Sequence, residues 1–399
     1  MEISKFSRIR NSKKRKMRKN ILFVSYLYLD VHLCKTSRFS ILQELNKLDN
    51  NCTLHSACID DKNIVKIDNI DMSYVLLPGV QILNFITYQI KSFFLIPKVI
   101  YKNKIDTIIC DINSTPSIFL LLILKKMRII NINFILDFRS NIMHHRKNKF
   151  QNFLKKYYLI IILNFSNLFY DGFTFITEGF KNILEKTYKI SFNNYIFWSS
   201  GVPNYFFDSS LKKEESNFII LHHGHLERGR GIMRLIDAMK YLNNNLSDKI
   251  TLKIAGSGNL EDDIKSLSIK KEYKLQFLGI IDHKDIVSLI DSSDLCIVPF
   301  DNSIGNATSS PLKLMEYVAR NKSIIATKLE NFLNDFKDYD SLYYIKNNNP
   351  KSIAESIDRY IFNYKNYPKG TSNQGQMLIK KKFTWEIQAK KIDNFLETF

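Results

Sequence analysis

The second half of the chain alternates short apolar runs with helical patterns. Five runs of strand length lie between residues 217 and 327, and segments with apolar residues at helical spacing separate them. The runs are NFIILHHG, ITLKIAG, LQFLGII, LCIVPF and SIIAT. Strands that alternate with short helices form a parallel sheet that is covered by helices on both faces. This alternation predicts a doubly wound α/β domain.

The first half shows the same alternation less clearly. A helical pattern surrounds residues 39–48. Four runs have the length and composition of strands: ILFVSYLYL (21–29), DTIICD (106–111), INFILD (132–137) and GFTFIT (172–177). Because 399 residues exceed one ordinary core, two domains are expected. Residues 201–216 lose the periodicity and gain turn formers and charge, so the junction between the domains is predicted there.

The predicted organisation therefore has four parts. They are a basic, disordered tail at 1–19, an N-terminal domain at 20–205, a C-terminal domain at 206–382 and a final amphipathic helix at 383–399. In doubly wound domains the ligand crevices lie at the carboxyl ends of the strands. Two such domains that face each other enclose a cleft in which two substrates can meet.

The charge of the chain narrows the choice of partners. The net charge is +19, and the first twenty residues hold nine Lys or Arg residues against one Glu. Blocks of this kind bind anionic lipid or nucleic acid. Basic residues also lie among aromatic and apolar ones at 88–104 and 144–162. This pattern favours either a surface that attaches to an anionic membrane or an ordinary solvated basic face.

Three further features bear on the location of the protein. Residues 21–29 follow the basic tail either as the apolar core of a signal peptide or as a buried first strand; Asp30 and the lack of a small-residue cleavage site favour the strand. No apolar run approaches the ~20 residues of a membrane span. Five scattered cysteines fit reduced thiols in a cytosol. A cytoplasmic location is expected, with peripheral attachment to the inner face of the membrane as a hypothesis.

A predicted helix start follows the run LCIVPF. Ser310 and Pro311 have the residue types of a helix cap and a first helical position. The first turn then carries Lys313, although the positive end of a helix favours acidic residues. A bound diphosphate would make the lysine favourable, because its oxygens would accept from the ammonium group and from the exposed amides. Glu316, one turn further, could accept from the hydroxyls of a ribose. The alternative is an ordinary surface helix with a Lys–Glu pair.

A second junction of the same kind is HHGHLERGRGI at 222–232. Gly224 allows the backbone to turn after the strand, and Arg230 and Gly231 place a guanidinium beside the start of the next helix. This is a second arrangement suited to phosphate. The nearby histidines lack Cys or acidic residues at the spacing of zinc ligands, so no metal site is expected.

A third junction, IAGSGNL at 254–260, carries Gly256 and Gly258. A glycine pair after a strand permits close approach of the backbone to a phosphate, but a simple tight turn has the same pattern.

Taken in their order along the chain, the three junctions resemble the donor half of family 4 retaining glycosyltransferases, which have the GT-B fold. The family's G-R-L-x-x-x-K-G motif and glycine pair fall on Gly224-His225-Leu226, Arg230-Gly231 and Gly256-Ser257-Gly258. The form S-P-x-K-x-x-E-Y, found in members that act on surface polysaccharides, falls on Ser310–Tyr317. LGIIDHKDIVSLIDSSDLCIVP at 278–299 and the final FTWE helix are also similar to family segments.

The chain departs from the family pattern at several positions. Thr308 stands where the family's first acidic-motif Glu contacts the donor hexose, and His225 stands where the family has a phosphate-binding Arg. Arg230 replaces a Lys, and residues 25–38 lack the glycine-rich loop that follows the first strand. An inactive, binding-only relative is therefore one alternative.

The resemblance implies two Rossmann-like domains that face a cleft, with the last helix crossing back to the first domain. It implies transfer of a hexose-type sugar, with retention, from a nucleotide diphosphate sugar to a lipid-linked glycan in cell-surface polysaccharide synthesis. Arg230 and Lys313 would stabilise the leaving diphosphate without a metal or other cofactor. The implied donor-binding residues are Gly224, His225, Gly231, Gly256, Gly258, Thr308, Ser309, Ser310, Pro311, Leu312 and Glu316.

Polar residues also follow two strands of the first half. Asp111 ends DTIICD, and Asp137 and Arg139 lie in LDFRS, a segment similar to one in some polysaccharide-building relatives. Asp137 could act in catalysis by orienting an acceptor hydroxyl, and Arg139 could bind an acceptor phosphate, with Asp111 on the same acceptor side. A salt bridge that caps a strand is the structural alternative.

Two other function classes remain open. A nucleotide-sugar epimerase can share this fold and needs no acceptor. The charge of +19 alone favours a nucleic-acid-binding protein, but no nucleic-acid-binding module is recognisable, so no nucleic-acid partner is expected.

Overall fold

The structure is a computed structural model that describes residues 18–30, 32–64, 66–139, 149–208, 217–243, 249–270, 274–363 and 373–399. Most of the predicted basic tail and part of the 144–162 segment lie outside the described residues. In the described part, no helix is both long enough and apolar enough to span a membrane.

The first sheet has seven parallel strands. They are β1 (Asn20–Tyr28), β2 (Asn51–Cys58), β3 (Asp71–Leu76), β4 (Thr107–Asp111), β5 (Asn133–Phe138), β6 (Gly172–Phe175) and β7 (Tyr195–Phe197). Their order across the sheet is β3-β2-β1-β4-β5-β6-β7. The segment ILFV of β1 is apolar on both sides and fully buried, because a parallel sheet is covered on both faces. This placement agrees with the strand interpretation of residues 21–29.

Five helices belong to this sheet: α1 (His32–Lys47), α2 (Gln81–Asn103), α3 (Thr115–Lys126), α4 (Lys149–Phe169) and α5 (Glu178–Tyr188). Helices α2 to α5 share a core with Leu22 and Val24 of β1. Helix α1 packs on the opposite face with Ile21 and Phe23. The alternation of side chains along β1 therefore divides the helices into two layers.

The second sheet has six parallel strands. They are β8 (Phe218–His223), β9 (Ile250–Ala255), β10 (Leu275–Gly279), β11 (Leu295–Val298), β12 (Ile324–Thr327) and β13 (Leu342–Ile345). The order across this sheet is β10-β9-β8-β11-β12-β13. The chain reverses direction across the sheet between β8 and β11, where doubly wound folds bind ligands.

Helices cover this sheet on both faces as well. They are α6 (Ile232–Ala238), α7 (Glu261–Ile269), α8 (Asp285–Asp291), α9 (Ile304–Ala307), α10 (Leu312–Ala319), α11 (Glu330–Phe336), α12 (Pro350–Phe362) and α13 (Gln374–Lys382). Short 3₁₀ turns occur at Asp61–Asn63, Ile112–Ser114, Asn204–Phe207, Arg228–Arg230 and Met239–Tyr241.

The last helix, α14 (Trp385–Leu396), packs on the first sheet rather than the second. Its Trp385 lies in one core with Trp198, which follows β7. Asn50 donates a 2.8 Å hydrogen bond from Nδ2 to Oδ1 of Asp393 inside this interface. The backbone of Gly201 lies so close to Trp385 that a Cβ there would meet its nitrogen at 2.5 Å.

The prediction of two doubly wound domains with a helix that crosses back is confirmed by this architecture. The residue numbers given above for the domain boundaries stay predictions.

Candidate functional site

The candidate site lies at the carboxyl edge of the second sheet. Strands β9, β8 and β11 are neighbours there, so the turns that follow them meet although they are distant in sequence. These turns begin at Gly256, Gly224 and Pro299. The strand order thus brings together the three junctions that carry the sequence motifs.

The first two turns are in direct contact through their backbones. A Cβ on Gly256 would lie 1.9 Å from the carbonyl oxygen of Gly224, and the φ of Gly256 is +132°. The amide of Gly224 donates to the carbonyl oxygen of Ala255 at 2.9 Å. Only glycine permits this approach together with this backbone conformation. Position 256 therefore requires glycine because of its contact with the turn at Gly224, and not only because its own turn is tight.

Lys313 connects the junction after β11 to the junction after β8. It lies near the start of α10, and its Nζ donates to Nε2 of His222 at 3.1 Å. His222 in turn donates from Nδ1 to the carbonyl oxygen of Ile297 at 2.9 Å, which leaves Nε2 as the acceptor. A Cβ on Gly224 would lie 3.2 Å from the lysine Nζ. The lysine ammonium thus lies against the turn after β8.

Arg230 lies near the same aromatic ring as Lys313. Its guanidinium carbon is 4.6 Å from the centre of the Phe300 ring, and the Nζ of Lys313 is 5.4 Å from that centre. Asn306 accepts a 3.1 Å hydrogen bond from Arg230 Nη1. The face of an aromatic ring attracts cations and needs no counter-ion. Phe300 therefore holds two like charges near each other.

Burial makes these cations costly in the absence of an anion. Burial holds the pKa of Lys313 well below its usual range, and the positive charge of Arg230 lowers it further. The negative charge of Glu316 has the opposite effect but does not outweigh them. Burial also lowers the pKa of Arg230. Burial and the charge of Lys313 lower the pKa of His222 and of His223 well below the ordinary value. Both histidines are thus neutral at neutral pH.

Glu316 does not face open space. His283 donates from Nε2 to Oε1 of Glu316 at 2.6 Å, and His223 Nε2 lies 3.1 Å from Oε2. The hydroxyl of Tyr205 bonds to the other ring nitrogen of His283. Burial lowers the pKa of His283, but the hydrogen bond and charge of Glu316 outweigh it and raise the pKa above its usual value. A ribose would have to displace a histidine to reach this carboxylate.

The start of α10 differs from the sequence prediction. The helix begins at Leu312, with Pro311 rather than Ser310 in the cap position. Ser310 Oγ instead accepts from the amide of Ser200 at 3.0 Å, and its carbonyl oxygen accepts from Ser200 Oγ at 3.0 Å. The capping role predicted for Ser310 is therefore wrong, because its hydroxyl joins the two halves of the chain.

The loop before α10 is held by its own hydrogen bonds. Thr308 Oγ1 donates to the carbonyl oxygen of Ile304 at 2.9 Å, and the carbonyl of Thr308 accepts from Thr177 Oγ1 at 2.7 Å. Ser309 Oγ donates to the carbonyl oxygen of Asn306 at 2.9 Å. This loop therefore contacts the first half of the chain beside the cations.

The remaining predicted donor residues line the turns. Gly231 has a φ of +73° at the start of α6, and Gly258 packs against the carbonyl oxygen of Leu226. His225 lies further out, where it is 2.7 Å from Glu227 and half-exposed. The structure thus brings Gly224, Gly256, Arg230 and Lys313 together and leaves His225 paired with a carboxylate.

The acidic residues of the first sheet are engaged in structural hydrogen bonds. Asp111 accepts from Ser25 Oγ at 2.7 Å and from the amide of Ser114 at 2.9 Å, which caps the turn before α3. Asp137 is buried, forms a salt bridge with Arg38 and accepts from Thr174 Oγ1 at 2.5 Å. Burial raises the pKa of Asp111.

Arg139 is held beside these residues by Trp198. Its guanidinium lies 3.5 Å from the centre of an indole ring, and Nη1 donates to the carbonyl oxygen of Trp198 at 2.8 Å. Burial lowers the pKa of Arg139 to about 9. Arg139 thus contacts Trp198, and the salt bridge on Asp137 comes instead from Arg38, a residue that the sequence analysis did not single out.

A separate cleft of about 430 Å³ lies between the two halves of the chain. Thr177 and Glu178 line it from the first sheet, and Ala307, Glu330 and Asp335 line it from the second. Among the described residues, no group of three or more His, Cys, Asp or Glu side chains is placed to hold a metal ion. The expectation of metal-free chemistry stays a prediction.

Comparison with known families identifies the second half. Residues 205–377 match the family model described as Glycosyl transferases group 1. An uncharacterized glycosyltransferase of Methanocaldococcus jannaschii is 26% identical over 192 residues, which are 48% of this chain and 48% of that protein. The chain thus matches about half the length of this curated relative. The part of the chain that is similar to this family is the part that holds the site.

Solved structures match nearly the whole chain at low sequence identity. Sucrose-phosphate synthase from Thermosynechococcus elongatus has a TM-score of 0.74 at 13% identity, covering 96% of this chain and 99% of that one. HepE from Anabaena in complex with UDP-glucose has a TM-score of 0.67 at 13% identity, covering 95% of this chain and 100% of that one. A mutant of TarM from S. aureus, in complex with fondaparinux, α-GlcNAc-glycerol and UDP, has a TM-score of 0.69 at 13% identity. The match covers 95% of this chain and 99% of that one. The predicted GT-B fold is confirmed.

The contact between the two glycine turns yields a stability prediction. Gly256→Ala adds a Cβ against the Gly224 carbonyl and should lower the free energy of unfolding by about 2–5 kcal/mol. Gly79→Ala is the control: its φ is also positive, at +87°, but nothing lies within 4 Å of its Cβ, so about 1–2 kcal/mol is expected. Urea unfolding measures both values. Equal losses would mean that the two turns do not touch.

Proposed function

We propose that this chain is a retaining glycosyltransferase that moves a hexose-type sugar from a nucleotide diphosphate sugar to a glycan acceptor. The observation that carries the proposal is the position of two buried cations, Lys313 and Arg230, beside the turns after β8 and β9. A diphosphate beside them would accept from both cations and add to the negative charge that Glu227, Asp301 and Glu316 provide.

The chemistry of the transfer follows from this charge. When the bond between the sugar and the diphosphate breaks, its electron pair goes to the phosphate oxygen, which adds one negative charge to the departing diphosphate and leaves an oxocarbenium-like sugar. Lys313 and Arg230 are fixed before the reaction, so they stabilise the leaving group without reorganisation at the transition state. No protein nucleophile is required if the acceptor hydroxyl attacks from the face that the diphosphate leaves.

The donor is proposed to be a UDP- or GDP-sugar. The UDP-glucose bound to the Anabaena protein of the same fold supports a nucleotide sugar of this class. We assign the diphosphate to Gly224, Gly256, Arg230 and Lys313, and the ribose to Glu316 after displacement of His283. Thr308, which lies between the two halves, would face the sugar. We also propose that the chain belongs to family 4 of the retaining glycosyltransferases, of the type that acts on surface polysaccharides.

The acceptor is proposed to be a lipid-linked glycan that enters from the first sheet. Asp137 would orient its hydroxyl after its salt bridge with Arg38 opens, and Arg139 would bind its phosphate, with Asp111 holding the turn before α3. This places the enzyme in the cytoplasm, at the inner face of the cell membrane. The α-GlcNAc-glycerol in the TarM complex supports glycan chemistry at the corresponding fold.

A panel of UDP- and GDP-sugars tests the donor site. One nucleotide sugar should raise the thermal unfolding midpoint of the parent chain, and Lys313→Met, which keeps the side-chain length but removes the charge, should bind it about 10- to 100-fold more weakly. Lys351→Met on α12 is the matched surface control and should bind like the parent. Equal stabilisation of parent and Lys313→Met would remove Lys313 from the site.

The same panel separates the transferase from an epimerase. A transferase leaves the donor sugar unchanged until an acceptor is added, apart from slow hydrolysis, and the product then keeps the anomeric configuration of the donor. Anomeric proton NMR of the reaction reports both properties. Conversion of the donor sugar into its epimer without an acceptor would contradict the proposal.

Binding of the nucleotide should be coupled to proton uptake by Lys313. Burial holds the pKa of Lys313 well below its usual range and a diphosphate raises it, so the complex binds more protons than the free chain between the two pKa values. Affinity should therefore fall as the pH rises through this interval, by at most about tenfold per pH unit. Calorimetry over neutral and alkaline pH in buffers of different ionisation enthalpy measures the uptake. An identical pH dependence in Lys313→Met would contradict the assignment.

A further inference from the structure

The outward face of helices α2, α3 and α4 carries many large apolar side chains that are exposed and do not pack in the core. Among the described residues, half of the exposed large apolar side chains lie on these three helices. On α2 they include Leu83, Ile86, Ile90, Phe94 and Tyr101, whose spacing places them on one side of the helix. Phe94 is 64% exposed and Tyr101 is 89% exposed.

The buried side of α2 includes polar side chains. Ser92 is fully buried and hydrogen-bonds to Nε2 of His55 at 2.8 Å, and Tyr88 bonds to Ser114 at 3.2 Å. The apolar residues of an ordinary surface helix face the core instead of the solvent. The apolar stripe on the outside of α2 is therefore not explained by packing within the domain.

Helix α4 continues this surface. Tyr157, Ile161, Phe165 and Leu168 lie on its exposed side, again at helical spacing. Helix α3 lies between α2 and α4 and adds Phe119. A groove of about 230 Å³ opens between α3 and α4, lined almost entirely by apolar atoms. We call the exposed sides of these three helices the α2–α4 face.

The helices of the α2–α4 face carry charges of one sign. They contain eight lysines and not one Asp or Glu, and two of the lysines, Lys102 and Lys125, pair with Asp71 and Asp171 outside the three helices. Lys98 on α2 and Lys156 on α4 are exposed beside the apolar residues. Long lysine side chains can reach the headgroups of a bilayer while the apolar residues enter it, and anionic lipids attract them. A protein partner would need a large acidic and apolar surface to match.

We infer that the α2–α4 face lies on the surface of a bilayer that contains anionic lipid. The three helices form one layer on one side of the first sheet, so their exposed sides can contact a flat surface together. Helix α3 begins four residues after the end of β4, at the edge of the sheet that holds Asp111. A bilayer in contact with this face therefore lies next to the edge where the proposed acceptor would bind.

Vesicle sedimentation tests the inference with the full chain. Phosphatidylcholine vesicles with and without phosphatidylglycerol are the probes. The parent should bind the phosphatidylglycerol vesicles more tightly, and the double variant Phe94→Glu, Phe165→Glu should bind them at least about tenfold more weakly. The basic N-terminal tail is present in both chains, so the difference reports the α2–α4 face.

The matched control places the same charges elsewhere. Ile269 and Phe362 are exposed apolar residues of the second half, so Ile269→Glu, Phe362→Glu should bind vesicles like the parent. Circular dichroism and urea unfolding show that each variant is folded, and no sugar donor is added, so the result is independent of the proposed transferase activity. Equal binding by both double variants would overturn the inference. A parent that binds no vesicles, or that forms a dimer dissociated by Phe94→Glu, Phe165→Glu, would also overturn it.

Discussion

The hydrogen bond between Lys313 and His222 joins two strand-to-helix junctions that are 91 residues apart in the chain. It is possible because β8 and β11 are neighbours, and because Gly224 leaves space for the lysine where any Cβ would press on it. The lysine at the positive end of a helix is thus explained by its position against a second turn. The remaining features of the site, including Arg230, are arranged around this contact.

The burial of two cations carries an electrostatic cost. Lys313 and Arg230 share one aromatic ring, and burial lowers the pKa of both. Removing charges from water is unfavourable, so the arrangement depends on the surrounding fold. Glu227 and Asp301 offset part of the cost for Arg230, and Glu316 does so for Lys313. An anionic ligand would lower the cost further, which is why the proposed diphosphate fits these residues.

Sequence patterns predicted the parts of the fold that depend on apolar periodicity and missed those that depend on polar contacts. The apolar strands β1 and β8 were predicted, whereas β2 was not, because its NCTLHSAC includes polar residues whose burial depends on partners such as Ser92. His283 was missed for the same reason, since nothing local to IIDHKD indicates a carboxylate 33 residues away. Glycines and the lysine were found because local backbone and helix-end rules apply to them.

A crystal structure of the chain with UDP tests the central claim most directly. The account predicts that the β-phosphate lies within hydrogen-bond distance of Lys313 Nζ and of the Arg230 guanidinium, and that Lys313 has left His222. A diphosphate bound in the separate cleft beside Glu178 and Glu330, with the lysine still on His222, would contradict it.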